Sequence, residues 1–296
     1  MTPRFVEGSA GKIAYYTARS PHARAVETVL LIHGAGMSAR SWGDTIKSLS
    51  RNVDVLAIDL PGHGASDPID EVTVERYVDA AITLLTTFGI GPVFVAGHSL
   101  GGSVALALAA NRPDLVKGLI LVSTCAKIPR DNNPMKALLG ALPAPMRRML
   151  FFTTARSMLF GVGAPSNAVQ LGLNELRDCP PETIKKDVAA AEAMDLESAA
   201  QQLDVPTLIL CGTADMVTPM RLSERLHQLI AGSQLEVAQR VGHMLPLEAP
   251  EWANEKILAF VGWMDAKETR KAVIVEPLPP LQLVRQIVSR VRALYR

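Results

Sequence analysis

The stretch Val93-Phe94-Val95-Ala96-Gly97-His98-Ser99-Leu100-Gly101-Gly102 constrains this chain more than any other. An apolar, β-prone run passes through G-x-S-x-G into a helix-forming sequence that continues to Ala110. Strand, tight elbow and helix in this order fit a parallel sheet, in which a helix returns the chain to the next strand. A serine at the tip of such a turn stands exposed, and the glycines at 97 and 101 leave room around it. The following helix directs its N-terminal dipole at the serine oxygen, which favours negative charge there.

The same alternation extends along the chain. Thr28–His33, Val53–Ile58, Pro92–Gly97, Gly118–Val122, Val205–Cys211 and Gln234–Ala238 read as strands. Helical patterns lie near Arg40–Leu49, Thr73–Phe88, Gly101–Ala110, Pro219–Ile230 and Pro250–Met264, and right-handed crossovers place them on both faces of the sheet. Lys12–Ala18 is expected to form an antiparallel edge hairpin with the first few residues. At 296 residues, the chain has room for one or two domains.

Between Val122 and Val205 the strand pattern stops. PMKALLGALPAPMRRMLFFTTARSMLFGVG, within that interval, offers short helices broken by Pro and Gly and rich in Met, Leu and Phe. This is an inserted helical cap, read either as ordinary helix packing or as a substrate-facing lid. Near the end, EPLPP makes a stiff break, after which Leu281, Val284, Ile287, Val288, Val291 and Leu294 recur at helical spacing among Arg285, Arg290, Arg292 and Arg296. That amphipathic basic helix is expected to dock on its own domain or on a second subunit, in preference to a membrane surface.

Composition excludes several classes. With 48% hydrophobic and 20% charged residues the chain is globular, and a net charge of +1 provides no field to attract nucleic acid. Cys125, Cys179 and Cys211 form no CxxC pair, so neither a zinc knuckle nor a disulfide framework is expected, and no metal or cofactor is called for. The N-terminal sequence lacks a signal-peptide core, and no run approaches the ~18 apolar residues of a membrane span. A soluble cytoplasmic protein is the expectation.

A serine nucleophile needs a base. Of six histidines, His33, His63 and His98 sit in motifs that suggest positioning, His22 precedes the core and His227 falls in a helix. His243, in Gly242-His243-Met244 just past the last strand, can reach across the carboxyl ends of the strands to Ser99. The imidazolium formed during attack needs a carboxylate on its far nitrogen. Asp215, after Cys211-Gly212-Thr213-Ala214, is so placed, and Ser123-Thr124-Cys125-Ala126 at the end of the preceding strand offers no competing acid. A tetrahedral intermediate needs two N–H donors. Leu100 supplies one, and the His33-Gly34-Ala35-Gly36 turn supplies the other from Ala35 or Gly36.

HGAG at 33–36, Asp59-Leu60-Pro61-Gly62-His63-Gly64-Ala65-Ser66, GHSLGG at 97–102, Gly212-Thr213-Ala214-Asp215 and Gly242-His243 together resemble the α/β-hydrolase superfamily over residues 10–265. The resemblance implies an α/β-hydrolase fold, a mostly parallel eight-stranded sheet flanked by helices. Its core would comprise residues 1–127 and 204–265, with a cap at 128–203 and a C-terminal extension at 266–296. It also implies that the loop at 59–66 is structural. Relatives that open epoxides or displace halide carry aspartate where this chain has Ser99, and tryptophan where the dehalogenases would match Leu100. The four tyrosines, Tyr15, Tyr16, Tyr77 and Tyr295, all lie outside the insertion, where epoxide opening would draw on them. Acyl transfer to water therefore remains. The expected substrate is a small to medium apolar ester, met by His98, Met37, Phe151, Phe152, Met158 and Met244. The alternative is a ring-cleavage-product hydrolase or enol-lactonase, whose anionic substrate would need a cation such as Arg130, Arg147, Arg148, Arg156 or Arg177. A noncatalytic binding module is the reading from another class.

Overall fold

A computed structural model of the chain describes residues 2–9, 11–21, 27–129 and 144–274. Residues 1–258 form one compact unit and 259–296 a second. The first holds an eight-stranded sheet in the order β1-β2-β4-β3-β5-β6-β7-β8. Its strands are β1 Arg4–Gly8, β2 Gly11–Ala18, β3 Thr28–Ile32, β4 Asp54–Ile58, β5 Val93–His98, β6 Val116–Val122, β7 Thr207–Gly212 and β8 Gln234–Ala238. The edge hairpin β1–β2 is antiparallel, as is the β2–β4 pair, and all pairs from β4 to β8 are parallel. The mostly parallel sheet and the edge hairpin thus follow the sequence pattern.

Strands covered on both faces must be apolar throughout. VFVAGH in β5 and TLILCG in β7 are buried at every position. Helix α1 (Gly43–Leu49) follows a short 3₁₀ turn, and α2 (Val74–Phe88) is capped by Thr73, whose hydroxyl accepts the Arg76 N–H at 3.2 Å. Helix α3 (Leu100–Asn111) has no polar stripe and is buried from Leu100 to Ala109. That suits a helix packed between the sheet and its neighbour α2.

Between β6 and β7 come α4 (Ala144–Leu159), α5 (Ser166–Asp178), α6 (Pro181–Ala193) and α7 (Glu197–Gln201). The segment is stitched where it leaves and rejoins the sheet: Leu196 N–H donates to Ala126 O at 2.9 Å, and Lys127 Nζ pairs with Asp195 at 2.5 Å. Helix α8 (Met220–Leu229) separates β7 from β8, and α9 (Leu245–Glu248) follows β8. Helix α10 runs from Pro250 to Ile274, ten residues past the expected end at Met264, and its last turns belong to the second unit. The basic helix expected at 281–295 lies outside the described residues. No helix of the described residues is long and apolar enough to cross a membrane.

The chain leaves β3 toward β4 on one side, and β5 lies on the other. In open α/β sheets the crevice at the carboxyl ends of such a reversal is where ligands bind. Ala35 follows β3 and Ser99 follows β5, so the topology brings the two expected site segments to the two banks of that crevice.

Candidate active site

Ser99 has φ 52° and ψ −122°, a conformation that costs a non-glycine residue on the order of 1–3 kcal/mol. The surroundings enforce it. Its N–H donates to Val122 O at 2.9 Å, and its carbonyl accepts the Gly102 N–H at 2.8 Å and the Thr124 hydroxyl at 2.7 Å. The elbow closes because its glycines permit it: a Cβ at Gly97 would stand 2.1 Å from Gly101 O, and one at Gly101 2.3 Å from His33 O. Residues 93–98 and 100–109 are buried, whereas Ser99 between them is partly accessible.

His243 Nε2 lies 3.0 Å from Ser99 Oγ, and its Nδ1 lies 2.9 Å from Asp215 Oδ2. With Nδ1–H donating to the carboxylate, Nε2 is left to accept the serine proton. Asp215 is buried, which disfavours its charge, but His243 and the donors of Thr218 outweigh burial and hold its pKa below the ordinary carboxylate value. Those donors are the Thr218 N–H to Oδ1 at 2.8 Å and its hydroxyl to Oδ2 at 2.9 Å, with the Val217 N–H also on Oδ1 at 2.9 Å. The carboxylate is therefore saturated and stays ionised in a dry place.

The backbone around His243 is tied down separately. His98 Nε2–H donates to the His243 carbonyl at 2.8 Å. Burial, and then the nearby His243, push the pKa of His98 down to about 3, so it stays neutral. Glu248 Oε2 accepts the Gly242 N–H at 3.1 Å and the Gly161 N–H at 2.8 Å, and Met244 N–H donates to Leu159 O at 3.1 Å. Two of these contacts come from the inserted segment.

The expected oxyanion donors divide. Leu100 opens α3, where an amide has no acceptor within the helix. Ala35 is half-buried on the opposite bank between buried neighbours. Gly36, the other expected donor, is a correction: its N–H is occupied at 2.9 Å by Asp187 Oδ2 from α6.

Three of the expected lining residues are buried. His98 is 2% exposed and serves the histidine loop. Met37 and Met244 are buried in one apolar cluster with Phe160, Val169 and Leu176, so they cement the insertion to the core. Met158 is 46% exposed on α4. The side chains of Phe151 and Phe152 lie outside the described set. The loop at 59–66 is structural as expected: buried Asp59 accepts the Ala39 and Ala65 amides at 2.8 and 2.9 Å. Sequence reasoning missed Thr218, Asp187, Glu248 and Thr124. Only Thr218 left a local trace, in the spacing Asp215-Met216-Val217-Thr218 of a side-chain-capped turn.

A model of the alpha/beta hydrolase family matches residues 29–256. The chain belongs to that family. Among curated relatives of this hydrolase, a pimeloyl-[acyl-carrier protein] methyl ester esterase of Neisseria meningitidis serogroup A is 32% identical over 229 residues, covering 74% of this chain and 72% of the relative. An (E)-2-((N-methylformamido)methylene)succinate hydrolase of Acinetobacter baylyi is 29% identical over 241 residues, covering 79% and 90%. Among solved structures, a thermophilic esterase from Thermogutta terrifontis superposes with a TM-score of 0.78 at 24% identity, over 89% of this chain and 99% of that one. The enol-lactonase from Burkholderia xenovorans LB400 gives 0.73 at 23%, over 88% and 100%. These likenesses show the fold.

Proposed function

We propose that this hydrolase is a serine esterase acting on a carboxylic ester of a small to medium apolar substrate. The observation that carries the reading is the relay from Ser99 Oγ through His243 to Asp215, at 3.0 and 2.9 Å, ending on a partly accessible serine in a buried surround. In this reading Ser99 attacks the acyl carbon as His243 takes its proton, and Asp215 stabilises the imidazolium. The amides of Ala35 and Leu100 receive the developing oxyanion. His243 then gives the proton to the leaving alkoxide, and water, deprotonated by the same imidazole, releases the acid from Ser99.

Helices α4–α6 act as a cap over this site and select the acyl or alcohol group. A C–C hydrolase or lactonase acting on a carboxylate-bearing substrate would want a cation facing Ser99. Of the arginines considered for that role, Arg156 and Arg177 are exposed, while Arg130 and the side chains of Arg147 and Arg148 lie outside the described residues. The methyl ester named in the Neisseria relative supports the ester reading.

A panel of p-nitrophenyl and methyl esters of increasing acyl length, run beside a lactone and a ring-cleavage dienoate, tests the assignment by ratios of kcat/KM. Preference for an apolar ester is expected. A higher kcat/KM on the dienoate or lactone would replace the esterase reading with its alternative.

A further inference from the structure

Asp187 belongs to α6, in the inserted segment, yet its carboxylate is wholly buried and every donor it meets comes from the core. Oδ1 accepts the Tyr77 hydroxyl from α2 at 2.6 Å. Oδ2 accepts His63 Nε2–H at 2.8 Å and the Gly36 N–H at 2.9 Å. The His63 Nδ1 faces Pro61 O at 3.2 Å, so both ring nitrogens point at acceptors and the ring is an imidazolium. Burial works against that charge, but the bond to Asp187, the neighbouring Cys179 and the charge of Asp187 raise the His63 pKa to about 10. Tyr77 and His63 thus already satisfy the buried carboxylate. The bond to Gly36 is one more, and it is spent on the turn that carries Ala35.

That turn needs an external reference. Met37 N–H donates to Gly34 O at 3.2 Å, closing a four-residue turn with Ala35 and Gly36 at its centre. Gly36 has φ +66°, while Ala35 is not among the residues of positive φ, which is the sign pattern of a type II turn. Types I and II differ by a flip of the central peptide, and the closing bond survives either way. The flip exchanges the directions of the Gly36 N–H and the Ala35 carbonyl, and so changes the field beside the Ala35 amide. An acceptor fixed on the Gly36 N–H selects one orientation. Leu176 and Ile184, also from the insertion, close over the same glycine, where a Cβ would stand 2.9 and 3.1 Å from them.

We propose that Asp187 is a positioning residue for the oxyanion turn, so that the orientation of the Ala35–Gly36 peptide, and with it the field at the Ala35 donor, is set by the inserted helix α6. The proposal rests on the esterase reading, in which Ala35 is an oxyanion donor. It makes the cap part of the machinery that stabilises the transition state, in addition to any part in choosing the substrate.

The test uses a matched ester and thionoester, because a thiolate-like intermediate draws less from N–H donors than an oxyanion does. The ratio of their kcat/KM values reads the oxyanion donors, and general damage to the site lowers both rates together. D187A and D187S are both made, since neither side chain reaches the Gly36 amide, and whichever melts cooperatively is assayed. D187N retains a carbonyl oxygen that can accept from Gly36, and Y77F removes a different donor. Loss of the Gly36 contact is expected to cut kcat on the ester about tenfold or more, with KM little changed, and to collapse the ester-to-thionoester ratio by about the same factor. D187N and Y77F are expected to hold the ratio within about threefold of wild type. An unchanged ratio in the folded D187A or D187S protein, or an equal loss in D187N, overturns the proposal. A wild-type protein that neither hydrolyses the ester nor takes a fluorophosphonate on Ser99 overturns the esterase reading instead, so the two failures are distinguishable.

Discussion

The Nε2 of His98 lies 2.8 Å from the carbonyl oxygen of His243, so the residue just before Ser99 holds the backbone of the residue that faces it. The bond joins the two sides of the relay without involving the reacting atoms. Burial keeps His98 neutral, with a pKa of about 3, and its carbonyl partner places the proton on Nε2. His98→Leu is expected to lower kcat about 10- to 100-fold through misplacement of the imidazole, with little change in KM. Steady-state kinetics on a soluble ester check this, and a larger effect on KM than on kcat counts against it.

Within the relay, Ser99→Ala is expected to abolish fluorophosphonate labelling and turnover. Asp215→Asn should cost on the order of 10⁴ in kcat, because an amide favours the wrong imidazole tautomer. Thr218→Val removes one of several donors to Asp215, and should cost about tenfold at most. Intact-mass spectrometry after labelling, with kcat for each variant, decides the matter. Labelling at a different residue would remove Ser99 from its role.

His63 and His98 make opposite predictions for stability against pH. The folded pKa of His63 is raised from 6.5 to about 10. Its contribution is therefore complete below 6.5 and is lost as pH climbs toward 10. His98 is lowered from 6.5 to about 3, so its contribution is complete above 6.5 and is lost as pH falls toward 3. In thermal melts, the gap between wild type and His63→Gln is expected to be widest at or below pH 6.5 and to narrow toward pH 10. A gap that does not vary with pH would exclude the charged His63–Asp187 pair.

Gly101→Ala tests the close packing of the elbow. The added Cβ meets backbone on two sides, at 2.3 Å from His33 O and 2.5 Å from Ile32 O. Neither atom can move without breaking the end of β3. The substitution is expected to cost more than about 4 kcal/mol and to leave little folded protein. Circular dichroism and soluble yield report it, and a native-like Tm would show that the elbow has slack.

How much of this was legible in the sequence depends on the distance over which each residue finds its partner. The strands, the Ser99 elbow and the order of Ser99, Asp215 and His243 are carried by short patterns of apolar runs, glycines and turns, and physical reasoning recovers such patterns locally. Asp187 left no such pattern. Gly36, His63 and Tyr77 are 151, 124 and 110 residues away from it, and from sequence it is one more acid on an amphipathic helix. Met37 and Met244 are ambiguous in the sequence for a related reason. An apolar side chain beside a catalytic loop reads equally as lining or as cement, and only the facing Phe160 and Leu176 decide between them. For α10, the helical pattern past Met264 continues without a proline or glycine until Pro277, so the helix runs on beyond Met264.

The inserted segment is fastened beside both banks of the crevice, at Gly36 through Asp187 and at the histidine loop through Leu159 and Gly161. Such an attachment bears on how freely a lineage can exchange one insertion for another. A foreign segment spliced between β6 and β7 would leave the sheet, the elbow and the Ser99–His243–Asp215 order intact. It would nonetheless strand the Gly36 amide and the His63 imidazolium unless it brought matching partners to both. Changes of substrate are therefore expected to accumulate on surfaces of the insertion away from these fastenings, by point substitution, while the helices that carry the fastenings are inherited together with the core.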